Sequence, residues 1–440
     1  MSFCSLYDWK DVAPERRAAW LNRQPEEDPS VIGACRDIIE RVRTEGDRAL
    51  IEFTRRFDGV ELSPDRILVS REELEEGAAE VDATMAAALD RSIRNVRTFH
   101  RDQLPTSTRW LEVEPGVWCG DRWTPIDSVA LYVPRGRGAF SSVACMLGVP
   151  AALAGVKNIV MFTPPGEDGT VDAATLYVCQ QLGIDQIVRI GGAQAVAAAA
   201  FGTSSVPTCQ KIVGPGNVYV SAARRILNHK IDPGPPAGPS ESLIICDESV
   251  DAENAAWNLL IEAEHGENST ALLLIPDMPT AERIRGCVDG LLDQLSERRR
   301  EFVKTVLSDR GGIVVTESMD QSIEIANKLA VEHVAVMVRN PWEVHPRITN
   351  AGEILFGDFP IVSLANYAMG VNAIIPTGGR AKTTSPVSMQ EFGKFTALGF
   401  CTAEGKKQLE PIVSAFSRDE GFSAHHLAVE NWRIRESEGR

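Results

Sequence analysis

The chain has 440 residues, of which 44% are hydrophobic and 24% charged, which suits a globular protein of about two to four domains. Its formal net charge of −16 disfavours nucleic acid or an anionic membrane surface as a partner. The nine cysteines are scattered, and we find neither a signal-peptide pattern nor an apolar stretch long enough to span a membrane. We therefore expect reduced thiols and a cytoplasmic enzyme.

The first part of the chain is predominantly helical by its apolar spacing. Residues 1–30 predict an N-terminal helical arm, and residues 31–58 predict an amphipathic helix interrupted at Gly46. A second helical stretch is predicted over 71–102, with His100 as a surface or capping residue near its end. Short strands rich in Trp and Val follow over 108–127.

Short apolar strands, tight glycine turns and helices then alternate from 128 to 236. The predicted strands are 128–133, 158–163, 186–190 and 211–213, and the predicted helices are 141–155, 171–182, 193–201 and 218–228. This alternation predicts a Rossmann-like parallel sheet.

The same alternation returns over 237–380. The predicted strands lie near 242–246, 271–275, 312–315, 334–338 and 353–356, and the predicted helices are 252–265, 279–289, 295–308 and 320–328. The predicted fold is thus α/β, with two Rossmann-like parallel-sheet domains, a helical N-terminal arm and a helical C-terminal tail. We assign 31–127 with 237–380 to a first domain, 128–236 to a second, and 381–440 to the tail, with a cleft between the two α/β domains.

The tail is predicted to begin with a hinge. Residues 381–386 form a polar run, and the helices 405–416 and 424–436 follow an aromatic-flecked stretch. Glu420 and His425 form a polar cluster there, for which a solvated helix terminus is the alternative interpretation.

Glu262 and His265 lie three residues apart on the last turn of predicted helix 252–265. Asp251 is the expected N-cap, and Gly266 is expected to end the helix in a left-handed conformation. A carboxylate and an imidazole at the negative end of the helix dipole make half of a site for a divalent cation. From this pair alone, a solvated helix end with a capping histidine is the favoured alternative.

A second pair, Glu332-His333, enters an apolar strand. Burying these groups is costly unless they face a cavity, and together they can move a proton or activate water. A satisfied pair at a strand edge is the alternative interpretation.

Cofactor binding is only weakly indicated by spacing. The loop 135–138 matches the dinucleotide fingerprint in part and lacks its third glycine. Backbone N–H groups at the helix starts after Gly138, Gly192 and Gly216 could still bind an anion such as pyrophosphate.

Taken together, several ordered motifs make the chain resemble histidinol dehydrogenase over about residues 30–430. The motifs are Tyr132-Val-Pro134, Gly191-Gly-Ala-Gln194, Val213-Gly-Pro-Gly-Asn217, Gly238-Pro-Ser-Glu241, Glu264-His-Gly266, Ala330-Val-Glu-His333, Asn350-Ala-Gly352 and Pro376-Thr-Gly378.

The resemblance implies a zinc- and NAD-dependent oxidation of L-histidinol to L-histidine in two hydride transfers. It also implies a homodimer whose C-terminal tail crosses over to complete the partner's site. Tyr132, Gln194 and Asn217 would bind NAD, Glu332 would activate water, and His333 would be the general base. The implied zinc ligands are Glu262, His265, Asn366 and His425, and the implied substrate contacts are these four with Ser240, His333 and Glu420.

The chain departs from the family pattern at two of the four zinc positions. Glu262 stands where the family has glutamine, and Asn366 stands where it has aspartate. The two exchanges conserve the charge of the ligand set, so we hypothesise that a divalent metal is retained; loss of the metal is the alternative. Ala373 also replaces a usual histidine of the family.

These departures leave the substrate open. Besides L-histidinol, another alcohol such as a sulfonated propanediol is possible, with Arg380 and Lys382 as candidates to bind its anionic group. A non-catalytic paralogue acting as a binding protein is the further alternative, against which the intact Glu332-His333 pair argues.

Overall fold

A computed structural model describes residues 3–23, 28–135, 140–236 and 238–432. The strands are β1 (Leu6–Asp8), β2 (Thr108–Glu114), β3 (Val117–Pro125), β4 (Ser128–Tyr132), β5 (Asn158–Phe162), β6 (Gln186–Val188), β7 (Lys211–Val213), β8 (Glu241–Cys246), β9 (Thr270–Ile275), β10 (Gly312–Val315), β11 (His333–Met337), β12 (Glu353–Phe356) and β13 (Gly393–Cys401). The helices are α1 (Pro14–Leu21), α2 (Pro29–Glu45), α3 (Asp47–Asp58), α4 (Arg71–Ala79), α5 (Ala83–Arg101), α6 (Ser141–Ala154), α7 (Ala173–Leu182), α8 (Gly192–Phe201), α9 (Val218–Ile226), α10 (Ala252–Ala263), α11 (Met278–Leu291), α12 (Glu297–Thr305), α13 (Met319–Leu329), α14 (Pro341–Val344), α15 (Val362–Leu364), α16 (Ala403–Asp419) and α17 (Ser423–Glu430). These elements confirm the predicted α/β class.

The described chain divides into two compact units. The first unit contains residues up to 103 and 126–392, and the second contains 104–125 with 393 onward. The predicted hinge 381–386 therefore lies within the first unit, and the boundary between the units falls between Phe392 and Gly393.

The predicted helices of the first part are divided at capping residues. Gly46 adopts φ +58° between α2 and α3, where a side chain would be strained. The stretch 71–102 forms two helices because the Asp82 carboxylate caps α5, accepting from the N–H groups of Thr84 and Met85.

His100 corrects one sequence-based prediction, because it is buried rather than a surface residue. Its Nδ1–H donates to the carbonyl of Val96 (2.8 Å), and its Nε2 accepts from Asn372 Nδ2 (3.3 Å). Burial lowers the pKa of this imidazole, which favours its neutral form. The ring is therefore a structural link between α5 and the segment that contains Asn372.

The two parallel sheets of the first unit have related strand orders. The four-stranded sheet has the order β6-β5-β4-β7, which in chain order is third, second, first, fourth. The six-stranded sheet has the order β1-β10-β9-β8-β11-β12 and repeats that arrangement around β8. Both are Rossmann-like, with a reversal of strand order at β4/β7 in one sheet and β8/β11 in the other.

The N-terminal arm differs from the predicted purely helical segment. Its strand β1 pairs in parallel with β10 at the edge of the six-stranded sheet, and α1 follows. The arm is thus part of the α/β fold.

The second unit contains an antiparallel sheet that the sequence predicted only in part. Its strand order is β13-β3-β2, so the aromatic-flecked stretch before the predicted tail helices, to which the sequence assigned no element, is a strand over Gly393–Cys401. Helices α16 and α17 follow it, and the end of predicted helix 424–436 lies outside the described residues.

Candidate active site

A cluster of ionisable side chains lies at the amino ends of three neighbouring strands of the six-stranded sheet. Glu241, His333 and Glu353 are the first residues of β8, β11 and β12, and Glu332 directly precedes β11. The parallel register places His333 opposite Ser242 on one side and Glu353 on the other. The pair predicted to move protons is therefore held on rigid, buried backbone.

Glu332 is buried, and its Oε2 accepts from the backbone N–H of Glu241 at 2.8 Å. Burial raises its pKa well above the usual range, and the carboxylates of Glu241 and Glu262 raise it further, although the His333 imidazole acts in the opposite direction. A carboxyl group with a raised pKa is a stronger base when ionised, as activation of water requires.

His333 is also buried, and its Nδ1 lies 2.6 Å from Glu353 Oε1. Burial by itself lowers the pKa of this imidazole, but the carboxylates of Glu262, Glu353 and Glu332 outweigh it and raise the pKa to about 9. Since an ionised carboxylate only accepts, Nδ1 carries a proton, and Nε2 is the nitrogen that can exchange a proton with a substrate.

A buried ion pair fixes Glu241 beside this cluster. Arg23 donates to both carboxylate oxygens of Glu241, at 2.8 and 3.0 Å, and the backbone N–H of Gly378 donates to Oε1 at 2.9 Å. Such a bidentate pair holds its partners in one geometry. Because the backbone N–H of Glu241 binds Glu332, this ion pair also keeps Glu332 in position.

Three of the four predicted metal ligands come together in the first unit. Glu262, 1% exposed, contacts Asn366 Nδ2 through Oε1 (3.2 Å) and His265 Nδ1 through Oε2 (3.3 Å). Asn366 belongs to the helical turn Ala365–Met369, whereas Glu262 lies in α10. The fold therefore brings Glu262 and Asn366 into contact although they are 104 residues apart in the sequence.

The end of α10 differs in detail from the prediction. Asp251 caps its start as expected, but the helix ends at Ala263 with Glu264 as its C-cap. Gly266 is not among the positive-φ residues, so its predicted left-handed role is wrong. His265 instead lies in the turn after the helix, with Nδ1 3.0 Å from the carbonyl of Ile261.

The donor set at Glu262 fits a divalent cation. The amide and the imidazole that contact the buried Glu262 carboxylate compensate its negative charge less than a bound metal ion would. The Asn366 amide could rotate to present Oδ1 instead of Nδ2, since the two atoms are equivalent in shape. Within the described ranges, no group of three or more His, Cys, Asp and Glu residues is suited to hold a metal, so an amide oxygen would have to serve as the third ligand.

The predicted NAD residues lie at the carboxyl ends of the strands of the four-stranded sheet. Tyr132 ends β4, Gln194 is in the first turn of α8 after β6, and Asn217 caps α9 after β7. The Tyr132 hydroxyl accepts from the N–H of Gly192 at 3.0 Å, which joins two of these loops. Ligands of doubly wound sheets bind at this end, near the reversal of strand order.

Two local features fit a dinucleotide at this position. Gln194 is buried, and within the described part of the chain its Oε1 has no hydrogen-bond partner. A Cβ added at Gly214 would lie 2.1 Å from the Tyr132 carbonyl oxygen, so glycine permits close approach of the loops at the strand reversal. The loop 135–138 lies largely outside the described residues.

The remaining predicted substrate residues are distributed over both units. Ser240 directly precedes β8, and its carbonyl accepts from the N–H of Thr270 at 2.9 Å. Glu420 is the exposed C-cap of α16, and His425 is an exposed residue of α17 whose ring lies 5.3 Å from that of Phe422. Glu420 and His425 thus belong to the second unit.

Sequence reasoning missed three acidic residues near these sites. Glu241 and Glu353 each open an apolar strand, as Glu332-His333 does, and that shared pattern was the available signal. Burial is the main cause that raises the pKa of Tyr132, and the negative charge of Asp58, which ends α3, adds to it. Burial raises the pKa of Asp58 itself to about 6.

Comparisons with known proteins agree over nearly the whole chain. The family model for histidinol dehydrogenase matches residues 21–433. A histidinol dehydrogenase homolog of Colwellia psychrerythraea is 42% identical over 429 residues, covering 97% of this chain and 96% of the relative. A histidinol dehydrogenase of Synechocystis sp. is 40% identical over 418 residues, with coverage of 95% and 96%.

A solved structure is similar throughout. The crystal structure of histidinol dehydrogenase from Elizabethkingia anophelis superposes with a TM-score of 0.92 at 32% identity, covering 98% of each chain. The similarity therefore includes both parallel sheets and the second unit.

Proposed function

Since this chain belongs to the histidinol dehydrogenase family, which supports a dehydrogenase activity, we propose that it oxidises a small polar amino alcohol with NAD as the hydride acceptor. L-histidinol is the default substrate, oxidised to L-histidine in two hydride transfers. The observation that carries the proposal is the buried Glu332-His333 pair at the amino end of β11.

The two members of this pair have different tasks. His333 accepts the hydroxyl proton while a hydride leaves the alcohol carbon. The proton goes to Nε2 because Nδ1 already carries a proton, which is hydrogen-bonded to Glu353. Glu332 takes a proton from water as the water attacks the aldehyde, which allows the second hydride transfer. Its backbone hydrogen bond to Glu241 keeps the carboxylate oriented for this step.

NAD binding is proposed at Tyr132, Gln194 and Asn217. Bound NAD supplies the hydride acceptor of both oxidations. Gln194 Oε1 would accept a hydrogen bond from the cofactor, and Asn217 Oδ1 accepts from the N–H groups of Tyr219 and Val220, which leaves its amide nitrogen to face the ligand.

We further propose that Glu262, His265 and Asn366 hold a divalent metal, Zn²⁺ by the family resemblance, together with His425. When bound, the ion supplies a Lewis acid that polarises the alcohol oxygen. Glu262 provides the anionic ligand, and Asn366 provides a neutral oxygen.

The charges of the described site favour an amino alcohol over a sulfonated propanediol. Glu262 acts on both Glu332 and His333, and Glu353 adds a further carboxylate beside His333. This concentration of negative charge attracts an ammonium group and opposes a sulfonate. Arg380 and Lys382, the candidates for binding an anionic tail, are exposed.

A homodimer is part of the proposal. Segment 359–369 of the first unit carries Asn366 and exposes the apolar side chains of Phe359, Ile361, Leu364, Tyr367 and Met369. The second unit exposes Phe395, Phe400, Ile412, Phe416 and Leu427. Apolar surface of this extent favours burial against another chain, and Glu420 and His425 would then act at the site of the partner.

A cytoplasmic location is proposed as well. No disulfide joins the cysteines within the described residues, and several thiols, including those of Cys145 and Cys179, are buried. In the same residues, no helix is long and apolar enough to cross a membrane.

The test is NADH production from a panel of amino alcohols, diols and a sulfonated propanediol, with and without added zinc. Turnover of an amino alcohol that His333→Asn abolishes supports the proposal. Preference for the sulfonated diol would refute the substrate class. NAD or alcohol binding without turnover of any compound would indicate a binding protein instead.

A further inference from the structure

Glu353 forms a short, buried hydrogen bond with the proposed base His333. It lies 20 residues beyond His333 in the chain, yet its Oε1 is 2.6 Å from His333 Nδ1. Both side chains are nearly inaccessible, at 5% and 9% exposure. A short, buried, charge-assisted hydrogen bond fixes ring orientation more strongly than a solvated one.

The backbone holds Glu353 in this position. Its N–H donates to the Glu332 carbonyl at 2.7 Å, and the N–H of Gly352 donates to the Val331 carbonyl at 2.9 Å. A Cβ at Gly352 would lie 2.6 Å from the Glu332 carbonyl oxygen, so glycine is needed for the two strands to start this close together. Glu353 is therefore positioned before any ligand binds.

The second carboxylate oxygen of Glu353 takes no part in the contact with His333. Within the described chain, Glu353 Oε2 is buried without a hydrogen-bond partner. Glu353 also lines a cavity of about 350 Å³ together with Gln103, Ser385 and Ser388. A cavity of this size that is lined in part by polar side chains can hold water, and a water molecule can serve as a partner for a buried carboxylate oxygen.

We infer that Glu353 is a positioning residue that holds the proton of His333 on Nδ1 and stabilises the imidazolium formed when Nε2 takes the alcohol proton. The inference rests on the proposed role of His333 as the base. The alcohol proton would move to Nε2 of His333, bound NAD would supply the acceptor for the hydride, and Glu353 would keep accepting the hydrogen bond from Nδ1–H. The same arrangement of carboxylate and histidine supports general bases in other enzymes.

The other charges around His333 do not replace this contact. Glu262 acts on it from α10 and Glu332 from the position directly before β11, whereas Glu241 at the start of β8 acts on Glu332 and is paired with Arg23. Glu262 and Glu332 act on the ring through their charge. In the described part of the chain, Nδ1–H of His333 donates its hydrogen bond to Glu353 Oε1, so Glu353 selects the tautomer.

The test compares Glu353→Gln and Glu353→Asp with the wild-type enzyme. The Gln variant keeps the shape and the accepting oxygen but removes the charge, and it can also donate to Nδ1. We expect the high-pH plateau of kcat to fall by about 10- to 100-fold while KM changes less than about threefold. The low-pH limb of kcat/KM should move down by about one to three pH units, because an opposite charge that favoured the imidazolium is lost. The Asp variant, which keeps the charge, should recover the position of that limb.

NMR of histidine-labelled enzyme gives a readout independent of turnover, with His333→Asn identifying the signal. Above pH 9, where the ring is neutral, the wild type should show a single Nδ1–H tautomer, and Glu353→Gln should lose that preference together with the elevated pKa. Glu391→Gln is the matched control, since it removes a part-buried carboxylate paired with Lys211 elsewhere in the first unit.

Unchanged tautomer and titration in Glu353→Gln would overturn the inference, as would an unchanged kcat plateau. If no alcohol is oxidised at all, the proposed function fails, and the NMR comparison still decides whether Glu353 positions His333.

Discussion

The exchange at Glu262 and Asn366 predicts that metal affinity follows the number of carboxylates in this pair. In Asn366→Asp, a carboxylate oxygen replaces the amide nitrogen now 3.2 Å from Glu262 Oε1. Two full charges at that distance repel by about 5 kcal/mol at an effective dielectric constant of about 20. The metal-free variant should therefore take up a proton or lose stability, and a divalent ion should relieve the repulsion.

Glu262→Gln has the opposite effect, because it leaves a ligand set without a carboxylate. We expect its zinc affinity to fall at least about tenfold below wild type, and that of Asn366→Asp to rise by a similar factor, each about 1.4 kcal/mol. The double variant restores one carboxylate on the other side and should return close to the wild-type affinity. The four proteins form a double-mutant cycle with a large coupling term.

The assay is calorimetric zinc titration of chelator-treated protein, combined with the zinc-induced change in Tm. The order of Tm increase should be Asn366→Asp, then wild type and the double variant, then Glu262→Gln. Glu324→Gln, which removes one carboxylate from a surface pair with Lys328, is the control for net charge. Equal affinities in all variants, or less than about a tenth of an equivalent of metal in protein purified without chelator, would refute the reasoning.

Three further predictions concern the acid–base pair and the cofactor. Glu332→Gln should permit the first oxidation but slow the second by about 100-fold or more, so aldehyde trapping should show one NADH per alcohol; two NADH at the wild-type rate would contradict the assignment. Gln194→Ala should raise KM for NAD by about tenfold with little change in kcat, whereas Gln180→Ala on the exposed side of α7 should not; equal KM values would exclude Gln194 from the site. His333 has its pKa raised from 6.5 to about 9, so its contribution to stability is complete below about pH 6.5 and is lost as pH rises through 9. In metal-free protein this amounts to about 3 kcal/mol, and denaturant unfolding of wild type should show that loss between pH 6.5 and 9 while His333→Asn should not.

Local patterns were sufficient to predict the alternating part of the fold. The strands β4 to β12 are short apolar runs separated by glycine turns or helix caps, and such runs are buried wherever the chain places them. Strand β1 has only three half-buried residues, which is too short for a periodic signal. Strand β13 is largely exposed, so it lacks the one-sided apolar pattern and is defined by its pairing with β3.

The site was predictable where its residues are adjacent in sequence and not where the fold brings them together. Glu332 and His333 are neighbours, and Glu262 and His265 share a helix end. The contact of Glu353 with His333 depends on the register of β11 against β12, and the partner of His100 is 272 residues away. A charged residue at the start of an apolar strand can be recognised in the sequence as a candidate site residue. The residue that it contacts can be identified only when the order of the strands in the sheet is known.

In the proposed function, the two sheets of the first unit place their sites at opposite ends of the strands, and their loops offer a reason. After β6 and β7, the segments Gly191–Gln194 and Gly214–Asn217 each contain glycine and an amide, which suits close approach to phosphates and sugars. After β8, the loop carries Asp247 and Glu248, and Asp247 Oδ2 accepts from the N–H of Arg339 after β11 at 2.8 Å. That contact spans the strand reversal where a second nucleotide would bind, and the two carboxylates oppose an anionic ligand there. In the six-stranded sheet, the proposed proton transfer is therefore expected at the amino ends of the strands, where Glu241, His333 and Glu353 begin three neighbouring strands. The register of these strands, and not a loop, brings the three side chains together.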